Sequence, residues 1–523
     1  MKKQASLLAL TAAIALTSVL AGCSSSNKEN ETNGTNGTNA GTKEAAPTKF
    51  SITTINYSPD TPVNDNPIEL EMEKRTNTKI DVTYLPSNNY GEKFNVMLAS
   101  NELPDVLLTT YIHAAEVTKA IDDGAFWDLT PFLKDYPNIE KAYPKESIEN
   151  SKVNGKVYGL PRPRPLVGGA AFPAIRKDWL DKLGLPMPTT MDELYTALKA
   201  FKEKDPDGNG KADTYGFTGS VAEGWMDNLE FVESTFHGFN NYYLTKDGEP
   251  TINRDFLESE RDAILWLQRA YKEGVLAPDF AIMKGTQVID MMKQGKVGMI
   301  PTSMDANKIG DMVAALRQSA PEANIEHVPT LISPSTGKPY AIKEAGFFGN
   351  YLISKKVPEE KVKAILKFFD YGATPEGMEL ASFGLKDVHF TVGADGKKAT
   401  NDEFKKIAGA AHGNIWTFID PYSRLTQAAP NYPAEYFERD KKVIDERLKH
   451  GVFYNNNGVS SETEQKFQSE IGKKFQDIKI QVILGKQPIE AWDKHVAAMK
   501  KDATMKKILE ERDASYKELF GSK

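Results

Sequence analysis

A chain of 523 residues with a single cysteine has to hold itself together without disulfides. One thiol, Cys23, excludes an intramolecular disulfide framework, a CxxC redox pair and any zinc site that needs several thiolates. Whatever folds here is stabilised by burying apolar surface, and at ~150 residues per domain the length allows two to four domains. The hydrophobic set makes up 40% of the chain and charged residues 26%, a globular balance rather than that of a disordered or multispanning protein. A net charge of -7 gives no electrostatic argument for nucleic acid, and none is expected as a partner.

The position of the cysteine says more. Lys2 and Lys3 precede an apolar run from Leu7 to Leu20, too short for a comfortable membrane span but flanked like a signal peptide. The run ends in Leu20-Ala21-Gly22-Cys23, which resembles the lipobox of bacterial lipoproteins. That resemblance implies that residues 1–22 are a signal peptide. It also implies that Cys23 is diacylated, with chains such as palmitate, and becomes the new N-terminus. The alternative is a free cysteine closing an ordinary signal. Each buried CH₂ stabilises membrane association by ~0.8 kcal/mol, so two chains hold a soluble body durably. From Ser24 to Thr48 no side chain can pack a core. Residues 23–48 therefore read as a lipid-anchored flexible tether with a reach of ~25 to 30 Å.

Beyond the tether, Phe50, Ile52 and Thr54 alternate with polar neighbours, as do Ile80, Val82 and Tyr84, which is the period of strands. Between them a helix opens at Asn66-Pro67. A second helix is predicted over Glu92 to Ser100, and Pro104 to Leu108 reads as a buried strand. Strand, helix, strand, helix, strand in that order argues for a parallel, doubly wound sheet. Later helices are predicted at Trp179 to Leu183, Met191 to Phe201, Glu258 to Lys272, Glu359 to Phe369, Tyr436 to Lys449, Glu464 to Leu484 and Glu490 to Lys501. Strand-like runs fall at Val297 to Pro301 and Phe347 to Ser354. The fold class is α/β.

Several segments, in this order, resemble the extracellular solute-binding proteins of ABC importers, in their large carbohydrate-binding lipoprotein branch. They are Tyr90-Gly91-Glu92-Lys93-Phe94 running to Leu103-Pro104-Asp105-Val106, then Gly124-Ala125-Phe126-Trp127-Asp128, and Asn154-Gly155-Lys156-Val157-Tyr158-Gly159. Ile175-Arg176-Lys177-Asp178-Trp179, Gly295-Lys296-Val297-Gly298 and the closing Ile483-Leu484-Gly485 with Trp492-Asp493 follow. The resemblance covers roughly residues 49 to 500. It implies a two-lobed, periplasmic-binding-protein-like fold of type II. Each lobe is a doubly wound sheet flanked by helices, and the ligand cleft lies between them. Lobe 1 is expected at 49–165 plus 345–405, and lobe 2 at 166–344 plus 406–523.

The sharpest local motif is Asp205-Pro206-Asp207-Gly208-Asn209-Gly210-Lys211-Ala212-Asp213. Oxygen side chains at Asp205, Asp207, Asn209 and Asp213, with the Lys211 carbonyl, reproduce the first part of a calcium loop. Relatives in the resembled branch carry a structural calcium here. The sequence departs from stronger patterns, with Thr214 where many relatives have glutamate and Gly216 where an EF-hand has its bidentate glutamate. A plain Asp-Gly-Asn-Gly turn is the other reading.

Sugar recognition uses aromatic faces for pyranose CH surfaces and polar groups for hydroxyls. Trp266, Trp179 and Trp492 read as core. Trp225 and Trp416 lie in polar, loop-like surroundings and are candidate stacking platforms or core. Residues just past strand ends face the cleft of doubly wound lobes, which adds Asn56, Tyr57, Thr109 and Thr110. Arg162 and Arg164 near the expected crossover are either uronate-binding groups or a solvated basic turn. Phe348, near the second crossover, is hinge, core or site.

Among the seven histidines there is no HExxH or HxxxH pair, and the chain has no Walker A segment and no GxSxG elbow. The function expected is a monomeric, lipid-anchored binding protein on the outer face of the cell membrane, not an enzyme. It would capture an oligosaccharide and deliver it to ABC permease subunits. A secreted polysaccharide-degrading enzyme and a ligand-presenting sensor or adhesin are the alternatives.

Overall fold

The computed structural model describes residues 46–56, 61–239, 253–393, 398–416, 421–426, 429, 431–453, 459 and 461–520. The signal segment, Cys23, nearly all of the tether and Tyr57 lie outside the described residues. Two β-sheets organise the remainder. The first has the order β2-β1-β3-β11-β4, with β1 at Thr48–Asn56, β2 at Thr78–Pro86, β3 at Val106–Thr109, β4 at Gly159–Pro163 and β11 at Phe347–Ile353. The second has the order β6-β7-β5-β8, with β5 at Phe172–Arg176, β6 at Tyr215–Phe217, β7 at Val297–Thr302 and β8 at Ile325–His327.

Local signals account for the start of the first sheet. The Asn66 side chain accepts from the N–H groups of Ile68 and Glu69, and Pro67 occupies the first helical position. The helix Pro67–Thr76 then ends on Asn77 in the left-handed region at φ 53°. That reversal lays β2 parallel to β1 from Thr48 opposite Thr78 to Asn56 opposite Pro86. β1 is buried on both faces from Ile52 to Asn56, as expected of a parallel strand covered by helices on each side.

Neither sheet is purely parallel. β11 runs antiparallel to both β3 and β4, and β5 runs antiparallel to β7 and β8. The cause is the route of the chain. It leaves the first sheet at Pro163, enters the second at Phe172, and returns from β10 (Pro339–Lys343) into β11. The crossing strands, β5 on the way in and β11 on the way back, enter their sheets from the opposite end and so run against their neighbours.

The cores follow the same division. One gathers residues from Phe50 to Leu160 with Tyr351 to Trp416; two others are drawn from Val167 to Ile508. Ala411, Ile415 and Trp416 still belong to the first core, eleven residues beyond the point where the sequence reading ends that lobe. The two crossings are bonded to each other. The Glu344 N–H donates to the Leu166 carbonyl at 2.7 Å, and the Arg164 N–H to the Gly346 carbonyl at 2.8 Å. The Glu344 carboxylate accepts from the Gly169 N–H at 2.8 Å. Among the described residues no helix is long and apolar enough to cross a membrane.

Candidate ligand cleft

Strand register brings the sequence-predicted residues of the first sheet to one edge. Thr109 closes β3 opposite Asn350 of β11, and Pro161 pairs with Asn350 from the other side. Asn56 ends β1, and it is buried like Thr109. The Thr109 hydroxyl donates to the Tyr111 carbonyl at 3.1 Å and accepts from the Tyr111 N–H at 3.3 Å. This local loop turns the chain outward, leaving Thr110 exposed and the Tyr111 ring 50% exposed. Tyr111 escaped the sequence reading, although the strand-end rule that selected Thr109 and Thr110 needed only one more residue to reach it.

Arg162 is not the solvated basic turn that its Pro-Arg-Pro-Arg setting allows. It lies within β4 and is 1% exposed. Its Nε donates to the Phe348 carbonyl and its Nη1 to the Asn414 side-chain oxygen, both at 3.0 Å. The guanidinium also lies 5.4 Å from the centre of the Phe348 ring, a cation–π contact. Its Nη2 has no hydrogen-bond partner among the described residues. Phe348 itself is 43% exposed. Arg164 is half-buried and donates to the Pro163 carbonyl at 2.8 Å.

Trp416 is the clear correction. Its ring is 1% exposed and packs 4.9 Å from Phe368 and 5.6 Å from Tyr371. A Cβ added at Gly372 would come within 2.3 Å of it. Its polar neighbours Gly413 and Asn414 belong to a short 3₁₀ turn, Gly409–Asn414, that delivers the indole into the core, so it offers no face to a ligand.

Trp225 behaves differently. β6 ends at Phe217, and the chain then forms a tight turn in which Ala222 and Trp225 exchange backbone hydrogen bonds at 3.2 Å. Gly224 occupies φ 83° there, a conformation that suits glycine. The indole is 47% exposed. The largely exposed aromatic side chains among the described residues are Tyr111, Trp225, Phe348 and Phe467; Tyr111 follows a strand end, Phe348 a crossing and Trp225 a tight turn.

The Asp205 to Asp213 loop curls on itself. Asp205 carboxylate oxygens accept from the N–H groups of Asn209 at 3.1 Å and Gly210 at 2.9 Å. The Asn209 amide donates to Asp207 at 2.7 Å and to Asp213 at 3.1 Å, and the Lys211 N–H donates to the Asn209 oxygen. The Asp207 carboxyl is raised above its ordinary pKa by burial, by its hydrogen bond with Asp205 and by the charges of Asp205 and Asp213. Carboxylates crowded around one amide are a donor set that a hard cation fits. Among the described residues, however, no three Asp, Glu, His or Cys groups already converge on a metal position. The departures from an EF-hand have structural reasons. Thr214 is buried and its hydroxyl donates to the Phe201 carbonyl at 2.7 Å. At Gly216 a Cβ would meet the Leu198 carbonyl oxygen at 2.5 Å, so no glutamate fits.

Two sheets, each with its own core, joined by crossings that are bonded together and flanked by exposed aromatics, define a two-lobed binding protein rather than a chain of successive domains. The chain belongs to the family of bacterial extracellular solute-binding proteins, which it matches over residues 62–379. It is 31% identical over 493 residues to lipoprotein LipO of Bacillus subtilis, covering 92% of this chain and 93% of that protein. It is also 31% identical over 405 residues to the polygalacturonan/rhamnogalacturonan-binding protein YtcQ of Bacillus subtilis, covering 74% of each. The crystal structure of the alginate-binding protein AlgQ2 without calcium ion shares the fold at a TM-score of 0.58 and 20% identity, covering 90% of this chain and 99% of that one.

Proposed function

We propose that this protein is the lipid-anchored substrate-binding component of an ABC transporter, holding an oligosaccharide between its lobes and passing it to a membrane permease. The observation that carries the reading is the set of exposed rings, with Tyr111 just past β3, Phe348 at the start of β11 and Trp225 on a turn beyond β6. Flat aromatic faces beside buried hydrogen-bonding groups are what a pyranose requires. Arg162, buried with no carboxylate among its hydrogen-bond partners, adds an electrostatic preference for a ligand with carboxylates, such as a uronate-containing oligosaccharide. Kinship with YtcQ supports the same class. Ligand contacts to both lobes favour the closed state, and the permease reads that shape. Residues 1–22 act as the signal peptide, Cys23 carries the lipid, and the tether lets the monomeric body stand off the outer face of the cell membrane. Capture and release need no covalent chemistry, so the protein is not an enzyme.

Calorimetry of the purified body against oligogalacturonides, 1-kestose and raffinose tests this reading, with each sugar weighed by mass spectrometry afterwards. Tight binding of an unchanged sugar is the expected result. Cleaved products indicate an enzyme, and continued import in a deletion strain indicates a sensor. The loop formed by Asp205, Asp207, Asn209, Lys211 and Asp213 holds a structural calcium in this proposal, tying the end of the helix Met191–Glu203 to β6. A site filled at a hundredfold excess over Kd stabilises by ~2.7 kcal/mol. A chelator should therefore lower the melting temperature without abolishing the fold. An unchanged melting temperature in verified metal-free protein removes the site.

A further inference from the structure

The turn that presents Trp225 is short: Ala222 and Trp225 exchange two backbone hydrogen bonds, and Ser220 closes the loop around it by donating to Asn228 and Asp227. From outside the loop, the turn is held by a residue 251 positions later, with the Lys473 ammonium also 3.6 Å from the Glu223 carboxylate. Gln476 lies on the helix Glu462–Ile483 and is 7% exposed. Its Oε1 accepts from the Gly224 N–H at 2.7 Å. Its Nε2 donates to the Trp225 carbonyl at 2.7 Å and also to the Ala222 carbonyl. One planar amide thus satisfies a donor and two acceptors on the same turn, using both halves of its chemistry.

The helix reaches the turn because Gly472 stands one helical turn earlier. A Cβ there would meet the Gly224 carbonyl oxygen at 2.9 Å. Below the turn lies a cavity of about 190 Å³, lined by Trp225, Arg254, Gln468, Gln476 and Lys479 among others. A turn released from Gln476 has room to sink into that space. Of the six tryptophans, Trp225 alone has a largely exposed ring; Trp127 is half-buried and the other four are buried.

We propose that Gln476 is a positioning residue for ligand binding, which holds the Trp225 ring at the height and angle a sugar face meets. The proposal rests on the reading of Trp225 as a stacking surface. It assigns Gln476 no contact with ligand: its amide is spent on the turn. Glutamate keeps the length and the acceptor but loses both donors, so Gln476→Glu should behave like Gln476→Ala.

The test uses the mature chain and its Gln476→Ala, Gln476→Glu, Trp225→Ala and doubly substituted variants. Far-UV circular dichroism controls for folding, acrylamide quenching of tryptophan fluorescence reports on Trp225, and calorimetry with trigalacturonate and 1-kestose reports on binding. Both Gln476 variants should change the quenching constant at unchanged circular dichroism. They should also weaken binding about tenfold, the size expected for losing roughly one well-made hydrogen bond's worth of order. Substituting Gln476 in the Trp225→Ala background should then cost nothing further. Unchanged quenching in both Gln476 variants overturns the proposal, and so do binding losses that multiply in the double variant. If Trp225→Ala binds as tightly as the parent, the stacking reading fails by itself, and the quenching measurement still decides whether Gln476 sets the ring.

Discussion

The two surfaces proposed to meet a ligand, one on each sheet's side of the molecule, are built by different means. On the first sheet, the polar groups at the strand ends are built into the strands. Thr109 and Asn56 are buried at strand ends, and Arg162 bonds to the neighbouring strand and to the 3₁₀ turn that follows the core. On the second, Trp225 stands on a turn outside the sheet, propped by a helix from the far end of the chain. A surface fixed by a strand ladder shares its energetics with the fold; one fixed by a side-chain prop can be altered separately.

The largest effect should come from undoing the support of the second side. Lys479, one helical turn beyond Gln476, is 4% exposed, and its ammonium contacts Glu233 and Asp255 at 3.0 Å each and Glu260. Burial opposes its charge, yet Asp255, Glu233 and Glu260 together raise its pKa well above the ordinary lysine value. Removing one member of a buried ionic group strands the others at a cost of about 3–5 kcal/mol. Lys479→Met should lower the urea midpoint accordingly and free the helix that carries Gln476. A loss below ~1 kcal/mol, measured against the same unfolding baseline, would mean that the carboxylates find other partners and that the prop does not depend on this cluster.

On the first side the matching substitution is Arg162→Met. It keeps most of the volume but removes the hydrogen bonds that Arg162 donates to the Phe348 carbonyl and to the Asn414 side chain. Stability should fall by ~1–3 kcal/mol, and affinity for an acidic sugar should fall with it. Stability and binding moving together is the signature of a strand-built surface. Full stability with lost binding would erase the contrast.

A smaller effect concerns pH and the second sheet. His327 of β8 is buried, and neither ring nitrogen has a hydrogen-bond partner among the described residues. Burial first, then the nearby charges of Arg447 and Arg439, push its pKa well below the ordinary value. The unfolded chain takes up a proton below about pH 6.5 that the folded chain refuses. The stability this group contributes is therefore present above that pH and is lost as the pH falls, by up to ~1.4 kcal/mol per unit. His327→Leu should flatten the acid limb between about pH 6.5 and 5. An unchanged slope would show that other groups set the acid response.

How far the sequence reveals this division depends on the distance over which each feature is determined. The helix after Asn66-Pro67, the strand at Val297 and the helix from Glu258 to Lys272 are legible because capping and periodicity are local, and the structure places them within a few residues of the expected bounds. The antiparallel return of β11 was not legible, since direction depends on where the chain has been. Trp225 and Trp416 look alike in sequence, each flanked by glycine and polar residues. Only the groove at Gly372, 44 residues before Trp416, tells them apart. Gln476 carries no local signal at all: within its helix it is one more polar residue, and its partners lie about 250 positions away.

The smallest effect on stability is the one that isolates recognition. The exposed Trp225 indole loses little when truncated, because much of its surface already faces water, and the turn's hydrogen bonds to Gln476 run through backbone atoms that alanine retains. Trp225→Ala should therefore change unfolding free energy by no more than about 0.5 kcal/mol, the range of ordinary surface substitutions. A sugar that stacks on the ring should lose about tenfold or more in affinity, as aromatic pairs contribute ~0.5–1.5 kcal/mol beyond their buried area. Paired with Arg162→Met on the same ligand, the two variants form a direct comparison: one surface whose loss is felt by the fold, and one whose loss is felt only by the ligand. If Trp225→Ala proves as destabilising as Arg162→Met, the ring is a structural cover for the cavity beneath it, and recognition has to be carried by the strand-built side.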